Sequence, residues 1–262
     1  MKLLRLAVVS LLIFACGSAR GNDAESEVAE VIERHIKGGN QGDTSTQLQL
    51  GSMYYCGLAV PQDYGKAFEW YSKAAIQGNA FAQTQLGVMY YHGEGVPQDY
   101  GKAFEWYSKA AKQGNDISQT QLGLLYYYGD GVPQDFKKAF GWFSKATKQG
   151  GAMAQVKLGL MYSEGKGVPQ DFKRAFEWYT KSANQGNAEA QMQLGLMYWK
   201  GQGIPQDYKK AYVLLSVSSA TDGQESHIAH RDLAAEKLSP EQLVEAQAEA
   251  TALFEKIQKW KK

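Results

Sequence analysis

The chain has 262 residues, 44% hydrophobic and 21% charged, a composition that supports a substantial buried core and excludes a disordered chain. Its formal net charge of +1 leaves no electrostatic footprint for nucleic acid or for a strongly acidic partner. Two cysteines are too few for a disulfide framework.

Residues 1–19, MKLLRLAVVSLLIFACGSA, have the layout of a secretory signal. Lys2 and Arg5 precede an apolar run from Leu6 to Ala15 that is too short for a comfortable bilayer-spanning helix, and small residues follow. Two processing routes are open. Cleavage after Ala19 would use Gly17 and Ala19 as the small residues. Alternatively, IFAC resembles the lipobox of bacterial lipoproteins: Ile13, Ala15 and Cys16 match it, while Phe14 is bulkier than usual. Cys16 would then carry the lipid, and the polar stretch GSARGNDAESE would tether the protein to a membrane surface without spanning it. Loss of residues 1–20 removes three of the 28 basic residues and leaves 25 against 27 acidic ones. The expectation is an exported protein, periplasmic or outer-membrane-associated in a Gram-negative cell and secreted otherwise. Either route leaves Cys56 without an intramolecular partner. It is expected to be a small buried or half-buried side chain in a slot held elsewhere by His92 or Tyr128.

Residues 20–42 read as a linker and N-terminal capping helix, because ESEVAEVIERHIKGGNQG ends like the second helix of the units that follow. Residues 43–222 then repeat every 36 residues, at Pro61, Pro97, Pro133, Pro169 and Pro205. Gly51, Gly87, Gly123, Gly159 and Gly195 keep the same step, as do Asp63, Asp99, Asp135, Asp171 and Asp207. Trp70, Trp106, Trp142 and Trp178 follow it too, with Leu214 in the fifth slot. A period between 20 and 50 residues marks a repeat array, and it outranks every local motif.

One unit, residues 79–114, shows what each copy encodes. Asn79 is placed to cap a first helix, in which Ala82, Leu86, Met89 and Tyr90 form one stripe. Gly87 costs that helix roughly 1 kcal/mol against alanine. A glycine there in all five copies suggests that another backbone passes close by. Gly93 and Gly95 end the helix, and Val96-Pro97 stiffens the turn. Asp99 caps a second helix with Ala103, Trp106, Tyr107 and Ala110 on one stripe, and Gly114 ends it. Such a hairpin buries its apolar faces only by stacking on its neighbours. Residues 223–262 read as a C-terminal helical cap, in which Ser239, Pro240 and Gln242 form an N-cap with a capping box.

The unit A-x-x-Q-L-G-x-M-Y-x-x-G-x-G-V-P-Q-D-x-x-K-A-F-x-W-Y-x-K-A-A-x-Q-G resembles the Sel1-like repeat family, relatives of tetratricopeptide repeats. The resemblance covers residues 43–222, and AYVLLSVSSA resembles the final repeat of bacterial members. It implies an all-α fold: a right-handed α/α superhelical solenoid of five helix-turn-helix repeats with helical caps, working as an adaptor or binding scaffold. Partners it suggests are envelope enzymes, cell-wall-processing machinery and host proteins. Some secreted members carry a disulfide in each repeat; this chain lacks those cysteines.

Differences among the copies separate scaffold from surface. The slots of Leu86, Gly87, Tyr90, Gly93 and Pro97 do not vary among the copies, but three others change. One reads Tyr55, Tyr91, Tyr127, Ser163, Trp199; the next reads Cys56, His92, Tyr128, Glu164, Lys200; a third reads Leu48, Thr84, Thr120, Val156, Met192. On a helical wheel Thr84, Val88 and Tyr91 lie opposite Leu86 and Met89. In a superhelix whose first helices line the concave side, that face would offer aromatic residues to a peptide. Partner-binding candidates are therefore Tyr55, Tyr91, Tyr127, Trp199, His92, Tyr128, Glu164 and Lys200, with Tyr91 and Trp199 expected to be the most exposed. The competing reading packs these residues between adjacent first helices. The row of Gln85 and Gln121 would satisfy a peptide backbone or lie solvated.

Catalytic signals are few. Ser163-Glu164-Gly165-Lys166 matches S-x-x-K, the nucleophile motif of penicillin-recognising enzymes, but the companion S-D-N and K-T-G motifs are absent. His227 and His230 stand one helical turn apart without an evident third ligand, so a solvated helix is expected rather than a metal site. The favoured reading is a non-catalytic, monomeric scaffold for a protein or peptide, with no cofactor, no metal and no nucleic acid. Membrane contact would come only through the Cys16 anchor. The alternative is a hydrolase acting on β-lactam or cell-wall material.

Overall fold

The computed structural model describes residues 22–260; the signal segment and Cys16 lie outside them. Thirteen helices, and no strand among the described residues, make the chain an all-α repeat solenoid with helical ends. Helix α1 (Asn22–Asn40) is followed by five hairpins. They are α2 (Thr44–Cys56) with α3 (Tyr64–Ile76), α4 (Ala80–His92) with α5 (Tyr100–Lys112), α6 (Asp116–Tyr128) with α7 (Phe136–Thr147), α8 (Ala152–Glu164) with α9 (Phe172–Asn184), and α10 (Ala188–Lys200) with α11 (Tyr208–Asp222). Helices α12 (Glu225–Ala235) and α13 (Pro240–Trp260) complete the chain. The helices group into two compact units: the described residues up to Ser118 with 130–132, and residues 119–129 with those from 133 onward.

The glycines, glutamine and aspartate of the repeated G-x-G-V-P-Q-D turn each have a defined role. The first helix stops where a glycine enters the left-handed region, as Gly93 does at φ 74°, and its N–H returns to Met89 O. Gln98 Nε2 then donates to Tyr91 O at 2.8 Å, and Asp99 N–H donates to Tyr90 O at 2.9 Å, so two terminal carbonyls of α4 are satisfied. The Asp99 side chain accepts from Lys102 N–H at 2.9 Å and starts α5. Gln62, Gln134, Gln170 and Gln206 repeat the first of these bonds, to Tyr55, Tyr127, Ser163 and Trp199. The Lys66 and Lys138 backbone N–H groups hold the cap carboxylates Asp63 and Asp135 below the usual aspartate range. A depressed folded pKa contributes stability that is fully present above the unfolded value and is lost as pH falls through the folded one. The thermal midpoint should therefore be flat from pH 8 to 5 and fall below about pH 4. Asp63→Asn/Asp135→Asn keeps both caps but removes their titration, and should flatten that acid limb in circular dichroism melts. An acid limb of unchanged slope would remove the caps as its cause.

The slot of Gly87 has a different neighbour from the one its sequence suggests. A Cβ there would lie 2.5 Å from the ring of Tyr107, not against a backbone. Gly51 faces Tyr71 in the same way, Gly123 faces Phe143, Gly159 faces Tyr179, and Gly195 faces Leu215. These rings and Leu215 are almost fully buried, so the missing side chain admits the second helix of the same hairpin. The close backbone approach occurs in the turns instead. A Cβ on Gly95 would meet Tyr64 O at 2.4 Å, and one on Gly167 would meet Phe136 O at 2.5 Å, where a turn rests on the start of the preceding second helix. The first repeat carries Ala59 in that slot at φ 64°, so the left-handed region is adopted there even without glycine.

Between hairpins runs a row of buried glutamines, two residues before the row that the sequence drew notice to. Gln47, Gln83, Gln119, Gln155 and Gln191 are all buried. Within the first unit Gln83 Nε2 donates to Ala75 O, and Gln113 Nε2 donates to Gln83 Oε1 at 2.8 Å. In the second unit Gln185 Nε2 makes the same bond to Gln155. Where such a buried amide is paired, as at Gln83 and Gln155, it fixes register, because a slip would leave it unpaired. Gln85 and Gln121 are half-buried.

The C-terminal cap packs on α11. Ser239 N–H donates to Gln242 Oε1 at 3.0 Å while Gln242 N–H donates to Ser239 Oγ at 3.3 Å, a complete capping box. Lys209 reaches Glu245 and Glu249, both at 2.8 Å, and joins α11 to α13. His227 corrects the expectation of a solvated helix: it is buried, with Nδ1 2.7 Å from Ser218 Oγ and 3.1 Å from Asp222 Oδ1. It locks α12 to α11.

Candidate functional site

The first helices bury Ala82, Leu86 and Met89 or their equivalents, and their opposite faces divide into two classes. The slot of Thr84, Thr120 and Val156 is buried, so it packs rather than opens. Thr84 Oγ1 even joins Ser118 Oγ at 2.8 Å. The remaining open face follows positions i, i+3 and i+7. In α4 it is Gln85, Val88 and His92; in α6, Gln121, Leu124 and Tyr128. The same positions are Lys157, Leu160 and Glu164 in α8, and Gln193, Leu196 and Lys200 in α10. Each triplet carries a half-buried apolar residue with an exposed, variable residue at the helix end.

The predicted partner-binding residues separate accordingly. His92, Tyr128, Glu164 and Lys200 are exposed, and Tyr128 presents 54% of its surface. Cys56, expected to be covered, is also exposed and its thiol is free. The neighbouring slot behaves otherwise. Tyr55, Tyr91 and Trp199 are half-buried and Tyr127 is buried, so Tyr91 and Trp199 are not the open positions of the row. Their rings stand edge-on to the ring nine residues on: Tyr55 to Tyr64 at 5.3 Å, Tyr127 to Phe136 at 5.2 Å, Trp199 to Tyr208 at 5.1 Å. The tyrosine hydroxyls tie one repeat to the next, at or just after the end of its first helix. Tyr55 donates to Glu94 at 2.7 Å, Tyr91 to Asp130 at 3.2 Å and Tyr127 to Glu164 at 2.9 Å. Burial first, and the Glu94 bond second, push the Tyr55 phenol up from its ordinary value. A helical wheel cannot find these ties, because their partners lie 37–39 residues away.

The S-x-x-K residues do not form a nucleophile–base pair. Ser163 Oγ donates to Leu160 O at 2.9 Å within its own helix. Lys166 Nζ is 2.8 Å from Glu164 and donates to Tyr127 OH at 3.1 Å. The Glu164 bond first, and the Tyr127 bond second, hold the ammonium above the ordinary lysine value, the wrong direction for a general base. His230 Nδ1 bonds the Ser226 carbonyl, and no group of three metal-ligating side chains occurs among the described residues. The tryptophans are packing elements: Lys73, Lys109, Lys145 and Lys181 lie over Trp70, Trp106, Trp142 and Trp178 at 3.8–4.1 Å from the ring centroids. No described helix is long and apolar enough to cross a membrane.

Comparison with known proteins agrees with this geometry. The family model of the Sel1 repeat matches residues 44–79, 80–115, 116–151, 152–187 and 188–218. The chain belongs to the Sel1 repeat family. A Sel1 repeat protein from Oxalobacter formigenes has 32% identity and a TM-score of 0.68, over 79% of this chain and 86% of that one. The protein c5321 of uropathogenic Escherichia coli, described as a protective antigen displaying an SLR fold, has 32% identity and a TM-score of 0.56. That match covers 86% of this chain and 58% of the other. A Sel1 repeat protein of Klebsiella pneumoniae, at 23% identity and a TM-score of 0.51, shares the fold. No match was found among curated proteins. Sel1 repeats are generally protein-interaction scaffolds, and a Sel1 hairpin provides what such a scaffold needs: a fixed backbone with few surface positions free to vary.

Proposed function

We propose that this chain is a non-catalytic, exported scaffold that binds a protein or peptide on the open face of its first helices. The observation that carries the reading is the row Cys56, His92, Tyr128, Glu164, Lys200. Five nearly identical hairpins place five chemically different, exposed side chains at one slot, while the core slots of Leu86 and Gly87 are the same in all five. Aromatic and charged side chains on a rigid frame supply anchoring area and selectivity at little ordering cost. The engaged Ser163 hydroxyl and the paired Lys166 argue against the hydrolase alternative.

Export rests on the charge and apolar pattern of residues 1–19, and the two processing routes differ in mass. A mature chain beginning at a lipidated Cys16 would be held at the membrane surface, and one beginning at Arg20 would be free in the periplasm or medium. Binding is tested by cross-linked pull-down from the native envelope. Wild type is compared with His92→Ala/Tyr128→Ala/Lys200→Ala, whose helicity is verified by circular dichroism. A partner captured by wild type should be reduced at least tenfold with the variant. Equal capture would move recognition off this face.

A further inference from the structure

In the fourth repeat the aromatic tie is absent and its surroundings remain. In the first repeat the Tyr55 ring lies 5.3 Å from the Tyr64 ring and 6.5 Å from that of Tyr71, and its hydroxyl donates to Glu94. The equivalents of Tyr64, Tyr71 and Glu94, 108 residues on, are Phe172, Tyr179 and Gln202, yet the position of Tyr55 is held by Ser163. These four residues, with Glu164 and Lys200, line a cleft of about 360 Å³ within the second unit. The floor is polar and unsatisfied: Tyr179 is 1% exposed, and its hydroxyl has no hydrogen-bond partner. Burial pushes the Tyr179 phenol up from its ordinary value, and the nearby Ser163, whose hydroxyl donates to Leu160 O, opposes that in part. In the first repeat the matching Tyr71 hydroxyl pairs with Ser52 at 3.0 Å.

We propose that this cleft is a binding site for a phenolic ring, supplied by a tyrosine side chain of the partner. The sister repeats show the occupant: a ring set edge-on to the residue at Phe172, its hydroxyl directed toward the turn at Gln202. Burying such a ring restores the aromatic pair lost at Ser163, and the incoming hydroxyl can pair with Gln202. Glu164 and Lys200 at the rim suit a peptide backbone and its charged neighbours. The tyrosine source rests on the scaffold reading above; the ring site does not.

The test is a titration of the full chain, followed by amide chemical shifts, with p-cresol, toluene and a blocked Gly-Gly-Tyr-Gly-Gly peptide beside its phenylalanine analogue. Saturable shifts around Phe172 and Gln202 are expected with p-cresol and the tyrosine peptide, at least fivefold weaker with toluene and the phenylalanine peptide. Ser163→Tyr rebuilds the sister arrangement, so it should fold with an unreduced thermal midpoint and weaken both ligands at least tenfold. Absence of saturable p-cresol shifts, or shifts unchanged in Ser163→Tyr, would overturn the site. Binding of p-cresol without the peptide would overturn the partner tyrosine as its source. If the pull-down partner is captured equally by Ser163→Tyr, the scaffold reading survives and the cleft is not where it is recognised.

Discussion

Gly95→Ala is expected to cost the first unit about 3 kcal/mol, from about 1–2 for a left-handed alanine and a further 1–3 for overpacking. The backbone at Gly95 has φ 73°, and an added Cβ would lie 2.4 Å from Tyr64 O and 2.5 Å from its carbonyl carbon. A peptide group cannot swing aside as a side chain does, so the turn must lift off the helix it rests on. Because repeats are stabilised largely by their neighbours, the damage should spread to both hairpins that meet there. Urea unfolding followed by circular dichroism should show a lower midpoint, with the early loss in residues 43–118 located by hydrogen exchange. Gly78→Ala is the control: its φ is 90°, but nothing lies within 4 Å of an added Cβ, so only the conformational cost applies. Equal losses in the two variants would show that the close approach contributes nothing.

The second large effect reverses what helix propensity predicts. Gly87→Ala gains roughly 1 kcal/mol of propensity, yet its Cβ would lie 2.5 Å from the ring of Tyr107, which is 1% exposed and unable to retreat. Overpacking of a closed core costs about 1–3 kcal/mol and at this depth should win, leaving a net loss of about 1 kcal/mol, up to about 2. Gly141→Ala, in the interior of α7 with nothing within 4 Å of the new Cβ, should instead stabilise by up to about 1 kcal/mol. Equilibrium unfolding of the two variants side by side reads the sign directly. A stabilised Gly87→Ala would mean that the hairpin can open to admit a methyl group, and the close packing argument would fail.

Much of this molecule is legible in the 36-residue period. The period locates the hairpins, and the caps Asn79 and Asp99, the stops at Gly93 and Gly114, and the capping box at Ser239 all act within three or four residues. Local hydrogen bonds of that kind need no knowledge of what lies beyond the next turn. The candidate site was legible only in part. The variable row His92, Tyr128, Glu164, Lys200 could be found by aligning the copies, since an unburied slot is free to change. The adjacent row Tyr55, Tyr91, Tyr127 looked alike on a helical wheel, yet its hydroxyls are bound to Glu94, Asp130 and Glu164.

The chain order thus specifies helices, turns and repeat register, because each is decided by neighbours in sequence. Which aromatic residue is a tie and which is a surface was settled by packing across repeats, through contacts 37–39 residues apart. The same holds for Gly87, whose neighbour is a ring 20 residues away, and for Ser163, whose small size matters only because Phe172, Tyr179 and Gln202 surround the space it leaves. A period tells where the same residue returns; only the stacked hairpins tell what that residue touches.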